Sequence, residues 1–401
     1  MPFKATRASS ANAYGVLKSN AILTGRAVIR IDVIMDNTVR SCLLILTFIA
    51  GTTSLYFMRD LITPFALALF IWLTIDGLAR WLYGLSAKFP YWLALTVAVF
   101  TVLASLTGVV LIITGTGIDI VEQSPRYAKR LEVIFQWLDG KVSKIAANVF
   151  KKQDFHLAAI SDQINLEERI PQFLSDIVGS LKSFGSNFML IAIYVAFLFA
   201  AQSSFPKKMD DLFPDINKRA QAAKVGERIR HSIEKYLGVQ TIISLLQTFV
   251  SYVAMTALGL DNALFWALLI FILNYIPIVG GLAAIVLPVT FAIVQFESVT
   301  PIVILAGALF GAQFVIGNTI QPKMMGDSMN LSALVVVLSL TLWGALWGGV
   351  GMFLSAPLTV VIMIILAQFP TTRWIAVLLS ADGEPDMDEM EKKAKKAMPS
   401  M

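Results

Sequence analysis

The sequence predicts an all-α polytopic membrane protein with about eight membrane elements, two of them broken or re-entrant hairpins, and a small helical soluble insertion. Hydrophobic residues make up 57% of the 401-residue chain, charged residues only 15%, and the mean hydropathy is +0.72. These values lie outside the range that is usual for soluble domains. Charge-free runs of spanning length recur along the chain, since a helix needs about 20 apolar residues to cross a hydrocarbon core of about 30 Å.

Seven segments follow one another, separated by changes in charge and hydropathy. Lys and Arg are concentrated in the first segment and after the fourth span, so the positive-inside rule places both regions in the cytoplasm. Helix parity then places the C-terminus there as well. The insertion has apolar residues at helical spacing, and the charged tail is typical of disorder. The predicted segments are a cytoplasmic arm with a possible amphipathic helix at 1–40, three spans within 41–118, a helical extracytoplasmic insertion at 119–182, a fourth span at 183–206, a cytoplasmic amphipathic helix region at 207–235, a membrane region at 236–380 and a disordered cytoplasmic tail at 381–401.

Acidic residues are rare within the predicted spans. The second span is short, and it crosses the membrane only if Asp76 and Arg80, four residues apart on one helical face, pair or reach the interface. No carboxylate is evident in the middle of a span, because Asp261 and Glu297 lie at predicted span ends. A proton or ion pump usually carries a buried carboxylate, so this distribution disfavours such a pump.

Two charge-free segments, 262–296 and 328–372, are too long to be straight spans. The first would measure about 50 Å as one helix, against a hydrocarbon core of about 30 Å. Glycine interrupts the middle of both, at 277–281 together with Pro277 and at 344–351 with Pro357 following, where a helix would have to break. We expect each to be a re-entrant hairpin, and the two together to form an inverted pair whose tips meet. The alternative is that each is one kinked span.

The candidate solute site is built from neutral groups near these two breaks. Amide and hydroxyl side chains can hydrogen-bond a neutral polyhydroxylated solute, although each amide alone also fits a role in joining two helices. Non-helical backbone at membrane depth survives only where protein or a water-filled cavity covers it. The candidate substrate-binding residues are Asn274, Pro277, Gly280, Gly281, Gln313, Asn318, Gln321, Ser339, Thr341, Gly348, Gly349 and Pro357.

Two further segments are predicted from local patterns. Glycine and proline in 317–326 should unwind the chain into a loop or hinge near the interface. Before the fifth span, Val225, Ile229 and Ile233 recur every four residues, with charged residues on the other faces. This pattern predicts an amphipathic helix that lies on the cytoplasmic surface and leads into the next span.

The sequence also bears on other classes of function. No metal-ligand spacing, phosphate-binding glycine loop or nucleophile-base set is present, so we expect no catalysis, no cofactor and no metal site. The only cysteine, Cys42, excludes a disulfide framework. The net charge of +5 reflects the basic cytoplasmic segments, and no basic stripe interleaved with aromatic residues predicts nucleic-acid binding.

Short motifs in the second half of the chain carry a family resemblance. They are Asn274-Tyr275-Ile276-Pro277, Gly317-Asn318, Gln321-Pro322-Lys323-Met324-Met325-Gly326, Leu331-Ser332, Trp343-Gly344, Gly351-Met352 and Pro357-Leu358-Thr359. Together they resemble the autoinducer-2 exporter family of bacterial inner-membrane transporters. The resemblance is densest from about Lys224 to Ser380, and the arm and the insertion share only the family's layout.

Three functions remain open at this point. The resemblance implies export of a small polar solute, the quorum-sensing signal autoinducer-2 or a similar metabolite, with the broken segments as substrate site or gate. It also implies a homo-oligomer such as a pentamer, embedded in the lipid bilayer of the inner membrane. The alternatives are a monovalent cation/proton antiporter, an activity also described for the family, and a membrane scaffold or assembly protein.

Overall fold

The computed structural model describes residues 37–85, 90–122, 188–325 and 329–385, together with the isolated positions 129, 130, 133, 136, 172 and 179. The chain divides into two compact units, Met1–Ser54 and Leu55–Met401. Of the first unit the structure describes only the greater part of one helix. The predicted amphipathic helix of the arm, most of the soluble insertion and residues 386–401 of the tail lie outside the described residues.

The described residues are helical apart from short connections, which confirms the predicted all-helical class. The elements in chain order are α1 (Asn37–Phe57), α2 (Arg59–Leu85), α3 (Tyr91–Glu122), α4 (Phe188–Gln202), α5 (Phe205–Leu212), α6 (Ile216–Ala257), α7 (Ala263–Leu273), α8 (Val279–Gln295), α9 (Val299–Val315), a π-helical turn (Ile316–Ile320), α10 (Gln321–Met325), α11 (Ala333–Ala367) and α12 (Arg373–Leu379).

Several of these helices are long and apolar enough to cross a membrane. Within the described ranges five segments qualify, namely α2, α3, α6, α11 and the run Val299–Met325 formed by α9 with the turn and α10. A sixth qualifies if α4 and α5, which meet at 64°, form one span. The helices α7 and α8 are each too short to qualify. The multi-span character is therefore confirmed, whereas the number of eight membrane elements remains a prediction.

Helix α6 runs without interruption for 42 residues, which differs from the prediction of a surface helix followed by a separate span. It begins at Asp215, whose side chain accepts hydrogen bonds from the backbone N–H groups of Asn217 and Lys218. No proline lies between Ile216 and Ala257, and the glycines within the helix are tolerated there. The amphipathic part therefore extends the axis of the apolar part and does not turn away from it.

Two clusters of buried apolar residues hold the helices of the second unit together. The first joins α2 and α4 to α11 and includes Phe70, Ile191 and Leu354. The second joins α7, α8 and α9 and includes Phe265 and Leu305. Helices α3 and α6 contribute to both clusters, so they connect the two parts of the unit.

Both predicted breaks are present, and at each one the chain folds back. Gln295 at the end of α8 bonds the N–H of Asp261 and the carbonyl of Gly259, both before α7, at 2.8 Å. The end of α8 therefore lies beside the start of α7, and the chain reverses between them. In α11 the indole of Trp343 donates to Thr359 Oγ1 at 3.2 Å, whereas 16 residues of straight helix span about 24 Å.

The reversal in α11 occurs at a glycine with a left-handed backbone. Gly348 has φ +62° and ψ −142°, and all residues around it in α11 are helical. A Cβ atom on Gly351 would lie 1.9 Å from the carbonyl oxygen of Trp343, so the two arms approach as closely as backbone atoms allow. Only glycine fits both positions, because one needs a positive φ and the other has no room for a side chain.

The segment predicted to unwind into a loop is helical up to Met325. A π-helical turn at Ile316–Ile320 leads directly into α10. The loop prediction was wrong because Pro322 lies in the first turn of α10, where a missing backbone N–H is tolerated, and the π-helical turn absorbs the local irregularity.

Four charged side chains join α2 to α6 in what we call the charge network. Asp76 pairs with Arg80 at 3.3 Å, which is one of the two alternatives that the sequence left open, and Arg230 of α6 donates to the same carboxylate. Glu234, one turn beyond Arg230, binds Arg230 at 2.9 Å and also binds Arg80. Tyr91 at the start of α3 donates to the other oxygen of Asp76 at 3.0 Å. The network thus contains two positive and two negative charges in contact.

Asp76 corrects the expectation that no span carries a buried carboxylate. Helix α2 continues to Leu85, so Asp76 lies within it, and its side chain is fully buried. The sequence suggested a span that ended at Ile75, since the hydrophobic run stops there. Two arginines neutralise the carboxylate, and one of them, Arg230, comes from a distant part of the chain.

The first residues of the predicted tail are packed against the fold. Leu331 and Ser380 form a β-bridge, and Ala381 donates its N–H to the carbonyl of Asn330 at 2.9 Å. Arg228 of α6 donates to the carbonyl of Pro385 at 2.7 Å. Residues 381–385 therefore extend the ordered membrane region beyond the boundary at 380.

Breaking the charge network should destabilise the fold. We expect Asp76→Asn to lower the free energy of unfolding by about 2–3 kcal/mol, because it leaves two partly exposed arginines opposite one carboxylate. Thermal unfolding of the detergent-solubilised protein measures the effect as a lower midpoint. The control is Asp60→Asn in the exposed Arg59–Asp60 pair, which should leave the midpoint unchanged. Equal midpoints for both variants would contradict a structural role for the network.

Candidate functional site

A cavity of about 590 Å³ lies beside the turn that connects α7 to α8. The turn, residues 274–278, forms one wall, and side chains of α6, α8, α9, the π-helical turn and α10 form the others. None of the described residues that line it carries a charge. They are Tyr236, Gln240, Asn274, Tyr275, Ile276, Pro277, Ile278, Gly281, Leu282, Ile285, Phe310, Gln313, Phe314, Gly317, Asn318, Gln321, Met325, Met329 and Val336.

Side chains of α6 satisfy the backbone of the turn. Gln240 Nε2 donates to the carbonyl of Asn274 at 2.7 Å, and Tyr236 donates to the carbonyl of Tyr275 at 3.4 Å. The Asn274 amide in return donates to Ser244 Oγ at 3.1 Å. A turn inside an apolar bundle leaves carbonyl groups without helical partners, and each unsatisfied one costs about 1–3 kcal/mol. These side chains of α6 therefore make the break between α7 and α8 tolerable.

Tyr275 joins the turn to α6 a second time. Its hydroxyl lies 2.7 Å from Thr241 Oγ1, and the Thr241 hydroxyl itself donates to the carbonyl of Leu237 at 2.6 Å. Tyr275 is therefore the donor of the pair. On its other side, the Tyr275 ring packs against Phe353 of α11 with ring centroids 5.0 Å apart. The turn between α7 and α8 thus touches the arm of α11 that follows Gly348.

The turn is strained at one residue that lines the cavity. Ile278 has φ +66° and ψ −53°, and the N–H of Val279 donates to the carbonyl of Pro277 at 2.7 Å. This is a γ-turn with a positive φ, which is rare and disfavoured for a β-branched residue. Such conformations cost about 1–3 kcal/mol and persist only where the surroundings impose them. The hydrogen bonds from α6 hold the start of the same turn, at Asn274 and Tyr275.

Gln313 of α9 lines the cavity and carries a buried, unpaired oxygen. A Cβ atom on Gly281 would lie 2.5 Å from Gln313 Nε2, and one on Gly317 would lie 3.3 Å from it. These two glycines therefore make room for the amide between α8 and the π-helical turn. Gln313 Oε1 is buried and has no hydrogen-bond partner among the described residues. An unpaired acceptor at a cavity wall suits a ligand that donates a hydrogen bond.

The structure brings half of the predicted site residues together at this cavity. The other half lie away from its walls. One of them packs between α7 and α8, and the others belong to α11, which lines the cavity only through Val336. The residues at the cavity are Asn274, Pro277, Gly281, Gln313, Asn318 and Gln321; those away from its walls are Gly280, Ser339, Thr341, Gly348, Gly349 and Pro357.

The residues outside the cavity have local roles. Ser339 and Thr341 donate to backbone carbonyls one turn earlier in α11, at 2.9 and 3.0 Å. Gly348 forms the reversal of α11, and Pro357 is buried in the arm that follows it. Gly280 packs against the backbone of α7, with its Cβ position 2.3 Å from the carbonyl oxygen of Leu273.

Sequence reasoning missed the contribution of α6. Tyr236 and Gln240 line the cavity, and Ser244 receives a hydrogen bond from Asn274. A signal was available, because Gln240, Ser244, Gln247 and Ser251 recur at spacings of four, three and four within an otherwise apolar run. That spacing places them on one face of a helix. Within the described part of the chain, no group of three or more His, Cys, Asp or Glu residues could hold a metal ion.

Comparison with known proteins finds similar sequences along most of the chain. Residues 45–371 match the model of a protein family described as AI-2E family transporter. The AI-2 transport protein TqsA of Escherichia coli K12 is 29% identical over 325 residues, covering 81% of this chain and 90% of that protein. A protein of Haemophilus influenzae Rd is 30% identical over 325 residues, covering 80% and 90%. A sodium-lithium/proton antiporter of Halobacillus andaensis is 21% identical over 359 residues, covering 84% and 97%.

Filling the contact between α7 and α8 should destabilise the turn. We expect Gly280→Ala to lower the free energy of unfolding by about 1–3 kcal/mol, because its methyl group meets a backbone carbonyl that cannot move freely. Gly281→Ala should be milder, since it meets only the end of the Gln313 side chain. Gly307→Ala, where nothing lies within 4 Å, is the control. Thermal unfolding midpoints in the order Gly307, Gly281, Gly280 from highest to lowest are expected, and any other order is evidence against this packing.

Proposed function

The chain belongs to the AI-2E family of transporters, and from this premise we propose that it exports a small neutral solute through the cavity beside the turn at 274–278. The observation that carries the proposal is the lining of that cavity. Its polar groups are amides and hydroxyls, and none of its described residues is charged. A neutral solute enters such a site without the desolvation penalty of a charge. The family and the apolar helices make the chain a multi-pass membrane transporter.

The solute class follows from the hydrogen-bonding groups of the cavity. Gln313 offers an unpaired acceptor, and the amides of Asn318 and Gln321 offer both donors and acceptors. Phe310 and Phe314 supply apolar surface beside them. A compact polyhydroxylated molecule has matching donors, acceptors and carbon surface. Autoinducer-2, which the name of the Escherichia coli relative specifies, is the member of this class that we propose first.

The two folded-back segments are proposed to be re-entrant hairpins with opposite orientation. Helices α7 and α8 have 11 and 17 residues, about 16 and 25 Å, and each falls short of a core of about 30 Å. A pair that enters and leaves on the same side accounts for these lengths. Between this pair and α11 lies one spanning run, Val299–Met325, which inverts the second reversal relative to the first. The contact of Tyr275 with Phe353 supports tips that meet within the membrane.

The remaining layout is proposed from the charge distribution and the family. We place both termini in the cytoplasm, the insertion at 119–182 outside, and the chain in the inner membrane as a homo-oligomer such as a pentamer. Lys and Arg support the orientation, since they are frequent in the arm and around the start of α6.

A cation/proton antiporter is the second candidate, and Asp76 is the observation that favours it. A fully buried carboxylate inside a membrane helix is the feature that such a transporter needs. However, Arg80 and Arg230 neutralise Asp76, and Asp76 does not line the cavity. We therefore rank solute export first.

Removing a polar group from the cavity should weaken transport. We expect Asn274→Ala to reduce efflux of labelled autoinducer-2 from proteoliposomes about tenfold, since the variant loses a cavity amide that can hydrogen-bond the solute. Thr341→Ala is the matched control, because the Thr341 hydroxyl is exposed and bonds only its own helix. Efflux equal to that of the wild type in both variants would argue against this cavity as the solute site.

The two candidate functions differ in their response to a cation. Proteoliposomes that contain a pH-sensitive dye should show no proton movement after a sodium or lithium pulse if the protein is a solute exporter. An antiporter should change the pH of the vesicle lumen after the pulse, and Asp76→Asn should abolish this pH change. A cation-driven pH change in the wild type would replace the first proposal with the second.

A further inference from the structure

Helix α6 carries a buried line of polar side chains that the cavity only partly uses. Gln240, Ser244, Gln247 and Ser251, here called the polar stripe, lie on one face, and each is at most 3% exposed. The 11 helical steps from Gln240 to Ser251 rise about 16 Å, roughly half of a hydrocarbon core. The adjacent Ile243 is equally buried and apolar, as expected for a helix inside a membrane bundle.

The centre of the polar stripe is not fully hydrogen-bonded by the described residues. Gln247 Nε2 donates to Ser251 Oγ at 3.4 Å, a long contact. Gln247 Oε1 is fully buried and has no hydrogen-bond partner among the residues that the structure describes. On α7, which packs against α6, the indole Nε1 of the buried Trp266 also lacks a partner there. A stripe that served only to join helices would pair these groups, because unpaired burial is unfavourable.

The polar stripe begins at the cavity described above. Gln240 is part of the cavity wall, and Ser244 accepts a hydrogen bond from Asn274, which is also part of that wall. Gln247 and Ser251 continue on the same face away from the cavity, toward the end of α6 at Ala257. The stripe is therefore a polar line that leaves the solute site and enters the helix bundle.

A second cavity lies where α6 ends. It has a volume of about 330 Å³, and Asp261, Gln295 and Glu297 contribute to its lining together with Lys129 and Arg130. Gln295 also bonds the carbonyl of Gly259, two residues after the end of α6. The polar stripe thus extends from one cavity toward the other, along a helix that both parts of the unit share.

We propose that the polar stripe is the closed middle section of the permeation route, which connects the cavity at 274–278 with the cavity at Asp261. The inference rests on the proposed export function, and it adds the path that the solute takes through the helix bundle. Because the stripe offers neutral oxygen and amide groups, the substrate class is an uncharged solute with hydroxyl donors, one of which pairs with Gln247 Oε1 during passage. Water passes by the same groups.

The closed state of the route follows from the contacts of Asn274. Its carbonyl accepts from Gln240 and its amide donates to Ser244, so one residue occupies the two nearest groups of the stripe. Opening requires the pair α7 and α8 to move away from α6, which breaks both bonds and frees these groups for the solute. The strained backbone of Ile278, four residues further on, lowers the barrier to that movement.

Cysteine labelling tests the route without assuming a substrate. Cys42 is the only cysteine, so Cys42→Ser gives a background without thiols. In that background we introduce Ser251→Cys, Gln247→Cys or Ile243→Cys in the full chain, reconstituted in proteoliposomes. A small hydrophilic methanethiosulfonate reagent reacts only with a thiol that water reaches. The serine replacement is nearly isosteric, so its folding should match that of the background, which a thermal midpoint verifies.

The labelling rates decide the inference. We expect the thiols at 247 and 251 to react at least about tenfold faster than the equally buried thiol at 243. Addition of autoinducer-2 should slow the reaction at 251. Equal rates at all three positions would overturn the route: if slow, the stripe is sealed between helices in every state that the protein visits, and if fast, water access is not confined to the stripe.

A transport measurement separates this inference from the proposed function. Gln247→Met keeps the length of the side chain and removes the amide, and it should lower efflux of labelled autoinducer-2 about tenfold while binding at the cavity stays within about twofold. Fast labelling without any autoinducer-2 efflux in the wild type would support the route and reject the substrate. Autoinducer-2 efflux that Gln247→Met leaves unchanged, with slow labelling at 251, would support export and reject the route.

Discussion

The hydrogen bonds from α6 to the turn between α7 and α8 are the interaction on which the rest of the second unit depends. Within an apolar bundle no water satisfies a broken helix, so a break persists only where neighbouring side chains bond its backbone. Gln240 and Tyr236 supply those bonds to the carbonyls of Asn274 and Tyr275. One helix therefore both stabilises the break and forms a wall of the cavity that the break creates.

The same helix separates charged from neutral chemistry along its length. Near its cytoplasmic half, as we orient it, Arg230 and Glu234 form the charge network with α2, and the four charges neutralise one another. Only two residues later Tyr236 begins the neutral wall of the cavity. The ion pairs of Arg230 and Glu234 leave no net charge within the charge network. The following turns of the helix carry amide and hydroxyl side chains. This division favours a solute that hydrogen-bonds but carries no charge.

Both chain reversals contain a residue with a positive φ, but the residue types differ. Gly348 adopts a positive φ that suits glycine, and Gly351 allows the arms of α11 to touch. In the first reversal a β-branched residue, Ile278, adopts the positive φ, and hydrogen bonds from α6 hold the start of the same turn. The strained reversal is the one that borders the cavity, as expected for a segment that moves during function.

The sequence by itself determined the class of the protein and the positions of its breaks. Hydropathy and run length specify membrane helices, and glycine and proline in the middle of overlong runs specify where they interrupt, because these effects are local. It also indicated the pairing of Asp76 with Arg80, which are one helical turn apart. Half of the candidate site residues lie at one cavity, since amides next to a break tend to face the space that the break opens, and their role in binding a solute stays a prediction.

Only the tertiary structure decided which polar groups meet. Gln240 and Asn274 are 34 residues apart, and Arg230 and Asp76 are 154 apart, so no local pattern reveals that they touch. The contacts of the buried Asp76 likewise come from α6, through Arg230, and from α3, through Tyr91. Ser339 and Thr341 resemble the cavity residues in type, but they bond their own helix. Residue type and helical spacing are properties of the chain, whereas the partner of a side chain is set by the packing of helices that are distant in sequence.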